Sequence, residues 1–119
     1  PELKNTAAMK NLINAHRAGV PLVVGTDSGN YGTFHGASLH REMELWQEAG
    51  IPAGDILKAA TGNAAQLLGA GDRIGRIAAG FEASLLVVDG NPLEDIRGTR
   101  RISDVFFKGE RVRRSALFE

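Results

Sequence analysis

Gly19-Val20-Pro21-Leu22-Val23-Val24-Gly25-Thr26-Asp27-Ser28-Gly29 decides how the rest of this chain is read. Pro21 to Val24 are apolar with no polar alternation, the pattern of a strand covered on both faces in a parallel sheet. The run then breaks into Gly25, Thr26, Asp27, Ser28, Gly29, Asn30 and Gly32. Such residues cannot extend a packed strand, and glycines let the backbone turn and approach a ligand. The stretch therefore delivers one carboxylate, Asp27, to the carboxyl end of a buried strand, where α/β enzymes place their chemistry. An aspartate that only shapes a turn fits the local sequence equally well.

At 119 residues the chain can bury a modest core but is too short for a whole barrel. Fourteen Lys and Arg balance fourteen Asp and Glu, so no global charge draws it to nucleic acid or to a membrane surface. Lys108, Arg111, Arg113 and Arg114 form a local basic group, read as the solvated edge of a hairpin. There is no cysteine, which excludes disulfides and thiolate chemistry and leans the localisation toward the cytoplasm. No apolar run approaches the roughly 18 to 20 residues of a membrane helix, and no signal peptide is visible. A start at Pro1 rather than Met, directly before helical sequence, suggests a processed, trimmed or excised segment.

Upstream of the central stretch, Asn5 or Thr6 can cap a helix with Met9, Leu12, Ile13 and His16 on its apolar face, and Gly19 ends it. His16 reads as a partly buried packing residue. Downstream, residues 37–49 form a helix with Leu39, Met43 and Trp46 as its buried stripe, closed by Gly50. Pro52 suits the first turn of the next helix, which carries Ile56, Leu57 and Ala60. Thr61 is expected to cap a further short helix through Ala64, Leu67 and Leu68. Near Gly71 the character changes: Ile74 and Ile77 suggest short extended pieces between turns. Ser84 to Asp89 is a second continuous apolar run, and Gly109-Glu110 between Val105-Phe106-Phe107 and Arg111-Val112-Arg113 predicts a two-residue type II′ hairpin.

Four segments in this order resemble the C-terminal portion of the metal-dependent amidohydrolases, in particular the imidazolonepropionase-like and prolidase-like members. They are Gly25-Thr26-Asp27-Ser28-Gly29, the helix from Leu39 to Gly50 with Ile51-Pro52, Lys58 to Gly69, and the block from Ile74-Gly75-Arg76-Ile77 through Val87 to Ile96. The resemblance covers nearly the whole chain. It implies an α/β fold: the last strand and following helices of a (β/α)8 barrel in residues 1–70, and C-terminal strands of a small composite β-sandwich in residues 71–119. It also implies hydrolysis of an amide or other C–N bond in a small-molecule or dipeptide-like substrate, with a divalent metal, zinc being the expected ion. On this mapping Asp27 matches the aspartate that binds metal and takes a proton from the attacking water. A bound metal lowers the pKa of water toward neutrality while a nearby carboxylate can accept its proton.

The family's metal centre also needs a His-x-His pair, a carboxylated lysine in many members and two more histidines. His16, His35 and His40 do not supply the pair. The isolated chain is therefore expected to be inactive, and possession of no metal by this chain alone is the matching expectation. Ala83-Ser84-Leu85 stands where the family usually has Ala-Asp-Leu, outside the metal centre. His35, in the loop beyond Asp27 beside Tyr31 and Phe34, is the candidate substrate contact, an ordinary loop histidine being the alternative. Ser28 could bond the Asp27 carboxylate or its own backbone.

Asp27-Ser28-Gly29 also matches the aspartic-protease triplet, but those chains are almost all β and residues 37–69 are helix-patterned. Gly69, Gly71 and Gly75 do not make G-x-G-x-x-G and follow a helix rather than a strand, which removes a dinucleotide site. The remaining alternative is a non-catalytic α/β fragment or interaction domain. A lone barrel strand with its helices exposes edges and apolar faces, so a homo-oligomer is expected in either case.

Overall fold

The computed structural model describes residues 6–117. Four helices come first: α1 (Ala7–Arg17), α2 (Ala37–Ala49), α3 (Ala53–Ala60) and α4 (Gly62–Leu67). A small antiparallel sheet follows, built from β1 (Leu85–Val88), β2 (Ile102–Phe107) and β3 (Glu110–Arg111) in the order β1-β2-β3. A 3₁₀ turn, Ile96–Arg100, lies between β1 and β2.

The helix ends are set by local chemistry. Thr6 caps α1, its hydroxyl accepting from Met9 N–H at 3.3 Å; the other candidate cap, Asn5, lies outside the described residues. Gly19 and Gly50 follow α1 and α2 with φ of 72° and 105°. At Gly50 the amide bonds Gln47 O and the next amide, of Ile51, bonds Trp46 O, the paired closure of a Schellman motif. Ile51, just past the turn, is buried. Pro52 stands one residue earlier than expected, as the extended residue before α3 rather than in its first turn. Thr61 precedes α4 without capping it: its hydroxyl donates back to Leu57 O at 2.6 Å.

The core joins the two ends of the chain. Val24, Met43, Trp46, Ile51, Ala53, Ile56 and Ala59 pack with Ile96, which the 3₁₀ turn inserts from the C-terminal part. Ile56 and Ile96 are 0% and 1% exposed. Around this plug, Ile96 N–H donates to Gln47 Oε1 at 3.0 Å and Arg100 Nε to Glu44 Oε1 at 2.5 Å. His40 Nδ1 lies 2.9 Å from Thr99 Oγ1, whose own proton goes to Ile96 O at 2.8 Å. That assignment makes His40 the donor through Nδ1–H.

Several expectations are corrected. Residues 21–24 form no strand ladder among the described residues. A strand is a hydrogen-bonded pair, and what faces this segment is helical: Val24 N–H donates to Ala59 O at 3.3 Å, and Asn63 Nδ2 to Leu22 O at 2.9 Å. Leu39, Leu67 and Leu68 are exposed, and Ala65 is the buried residue of α4. Ile74 lies in a bend and Ile77 in an irregular stretch, neither in a strand, and Ile77 is exposed. The second apolar run does form β1, but Leu86 and Val87 are exposed because β1 has one neighbour, β2, and no covering layer among the described residues.

The hairpin turn is also different. Phe107 pairs with Glu110, so the turn residues are Lys108 and Gly109. Both have positive φ, 52° and 87°, which is a type I′ turn rather than the expected II′.

Candidate functional site

Asp27 sits in the loop between the buried Val24 and α2, held by its immediate neighbours. Its backbone takes φ of 51°, a left-handed conformation that aspartate tolerates better than most residues. Asn30 Nδ2 lies 2.6 Å from Asp27 Oδ2 and 3.1 Å from Asp27 O. On either side of the aspartate, Thr26 Oγ1 and Ser28 Oγ share a hydrogen bond of 2.6 Å. Ser28 thus bonds neither the Asp27 carboxylate nor its own backbone. A short bridge pairs Ser28 with Asn30, and Gly29 N–H and Thr33 N–H donate to Thr33 O and Asn30 O.

The carboxylate is exposed, and Oδ1 has no hydrogen-bond partner among the described residues. His35, Tyr31 and Phe34 are exposed in the same loop. No hydrogen bond or ion pair joins His35 to Asp27 among the described residues, so the structure places the two predicted site residues in one loop without linking them. Asn30 is the residue the sequence reading passed over. The available signal was its Asp-x-x-Asn spacing inside a glycine-rich turn, which lets an amide reach back to a carboxylate.

The other two histidines face away from this chemistry. His16 pairs with Asp55 of α3 at 3.0 Å, and Lys58 lies 3.7 Å from the other Asp55 oxygen. The His16 hydrogen bond, with Lys58 nearby, holds the Asp55 carboxyl below its usual value. These residues edge a half-open cleft of about 210 Å³ whose wall includes Val20, Leu22 and Trp46. His40 belongs to the packing around Thr99, and burial together with the Arg100 charge pushes it below the ordinary histidine value.

A catalytic zinc site uses about three protein ligands and an open position. Among the described residues no three His, Asp or Glu side chains gather in a way that could hold a metal ion. The described residues therefore do not by themselves make a metal site. Of the two Asp27 carboxylate oxygens, Oδ2 is bonded to Asn30 and Oδ1 has no hydrogen-bond partner among the described residues.

The family model for the amidohydrolase family matches residues 1–112. Among solved structures, the chain is similar to a Xaa-Pro dipeptidase with methionine bound in its active site, at 31% identity and a TM-score of 0.79, covering 87% of this chain and 25% of that one. It is similar to molinate hydrolase at 26% identity and TM-score 0.86, covering 95% of this chain and 28% of that one. Phenylurea hydrolase B matches at 26% identity and TM-score 0.82, covering 90% and 27%. A comparison with curated proteins finds no match. The chain spans about a quarter of the length of the solved structures it resembles. With its α-helical first part, its small three-stranded sheet and a family match running through nearly all of it, the chain belongs to the amidohydrolase family.

Proposed function

We propose that this chain is the C-terminal part of a metal-dependent hydrolase of amide or other C–N bonds in small or dipeptide-like substrates. Residues 1–70 would come from the end of a (β/α)8 barrel, and residues 71–119 would give the C-terminal strands of a small β-sandwich. The observation that carries the reading is Asp27 itself: an accessible carboxylate held at positive φ in a glycine-rich loop, in a chain of this family. The dipeptidase and the phenylurea hydrolase among the similar structures support the bond class.

A divalent metal in such an enzyme supplies charge that acidifies water and polarises a carbonyl. The task of Asp27 is to contribute one oxygen ligand and to move a proton. Its carboxylate accepts the proton of the attacking water and returns it to the leaving nitrogen. The exposure of His35 beside Tyr31 and Phe34 supports a role for it as a substrate contact at the loop surface.

A second reading, a non-catalytic fragment that associates through its faces, is favoured by the exposed Leu67, Leu68, Leu86 and Phe107. One comparison separates the two. Elemental analysis for zinc, manganese, nickel and iron, with amide-hydrolysis assays, is made on the longer protein carrying this segment and on its Asp27→Asn variant. Metal and hydrolysis that both fall in the variant support the hydrolase. Neither metal nor hydrolysis in the parent overturns it. The same metal analysis on the 119-residue chain is expected to find none.

A further inference from the structure

We infer that Asn30 is a positioning residue for Asp27, selecting which carboxylate oxygen faces the reaction; this rests on the hydrolase reading above. One side-chain nitrogen, Asn30 Nδ2, lies within hydrogen-bond distance of both Asp27 Oδ2, at 2.6 Å, and Asp27 O, at 3.1 Å. A carboxylate and a carbonyl only accept, so the amide must turn its NH₂ toward them. The two contacts do different work. The bond to Asp27 O ties the amide to the backbone of an aspartate that sits at φ of 51°, and the bond to Oδ2 restrains the side-chain rotamer.

The consequence is a division of labour between the two oxygens. Oδ2 is bonded to the amide, and Oδ1 is left as the oxygen able to ligate a cation or accept a proton. The hydroxyl pair Thr26–Ser28, at 2.6 Å, braces the turn on the other side of Asp27 without touching its carboxylate. Asn30 is therefore the side chain through which the loop orients its one acid. Outer partners that orient a metal-ligating carboxylate typically matter by roughly 10–100-fold in metal affinity or activity.

The test has two arms. On the 119-residue chain, the Asp27 Hα–Hβ couplings are measured by NMR for the wild type, Asn30→Ala and Asn30→Leu. A single rotamer in the wild type that averages in both variants supports the proposal. Averaging in the wild type, or an unchanged single rotamer in the variants, overturns it. This arm needs neither metal nor activity.

The second arm uses the longer protein carrying the segment. Asn30→Leu keeps the approximate shape but removes both donors without adding a charge beside Asp27, so a residue that merely fills space would tolerate it. The expected result is a kcat lowered roughly 10–100-fold with KM changed by less than about threefold. An unchanged kcat overturns the role assigned to Asn30. A wild-type protein with no metal and no hydrolysis would overturn the hydrolase reading instead, while the couplings still decide whether Asn30 holds Asp27.

Discussion

His16 Nε2 lies 3.0 Å from Asp55 Oδ2, tying the last turn of α1 to the first turn of α3 across 39 residues of sequence. The carboxylate also stands at the N-terminal end of α3, where the helix dipole favours negative charge. The Asp55 side chain is 41% exposed, so solvent screening limits the pair to about 0.2–1 kcal/mol. Asp55→Ala is expected to lower stability by that amount in urea titrations at pH 7. Because the folded state depresses the Asp55 pKa, its stabilisation is complete above the unfolded value of about 3.9 and fades as pH falls through the folded one. The variant and the wild type should therefore converge toward low pH, and a gap that stays constant with pH would refute the ion-pair account.

Ile96 links the C-terminal part to the helices. It is 1% exposed and packs in one cluster with Val24, Met43, Trp46 and Ile56. Ile96→Ala removes buried methyl groups and leaves a cavity, so a loss of about 2–5 kcal/mol is expected in chemical denaturation. A loss below about 1 kcal/mol would mean that the 3₁₀ turn does not share the core.

His40 makes the stability fall on mild acidification. Burial and the Arg100 charge depress its folded pKa, against a smaller upward pull from Glu44. The unfolded chain then takes up a proton first, so the contribution is complete above about pH 6.5 and is lost as pH falls from there through the folded pKa. Thermal unfolding of the wild type between pH 7.5 and 5.5 should show a decline that His40→Gln reduces. Gln keeps an amide donor for Thr99 while removing the titration. Parallel curves for the two proteins would assign the acid sensitivity elsewhere.

The Lys108-Gly109 turn predicts a stabilising substitution. Lysine at φ of 52° carries the steric cost of the left-handed region, which asparagine bears more easily. Asn-Gly is the preferred pair for a type I′ turn. Lys108→Asn is expected to add about 0.5–1 kcal/mol, read as a higher melting temperature. A type II′ turn over Gly109-Glu110 would leave this substitution neutral.

Much of the helical part was legible because each signal is local. Thr6 caps α1 and Gly19 and Gly50 close helices in the sequence because capping depends on residues within one turn. The carboxylate in the glycine-rich loop was legible for the same reason: a run of glycines around one aspartate is a backbone statement as much as a chemical one. Misreadings came where burial depends on what lies across the fold. Leu67 and Leu68, at 74% and 76% exposed, keep the helical spacing of core residues but have nothing packed on them among the described residues. Spacing reports which positions share a face, not whether the face is covered.

The amino-acid sequence alone thus determined the closures of α1 and α2, the family-specific order of segments and the presence of Asp27 in a turn of glycines, since all are properties of neighbouring residues. Tertiary structure alone decided that Ile96 enters the helical core, that His16 serves Asp55 and His40 serves Thr99, and that Asn30 rather than Ser28 holds the Asp27 carboxylate. Each of these is a meeting of atoms fixed by the path of the chain, and side-chain hydrogen bonds require distances and angles that spacing along a sequence does not encode.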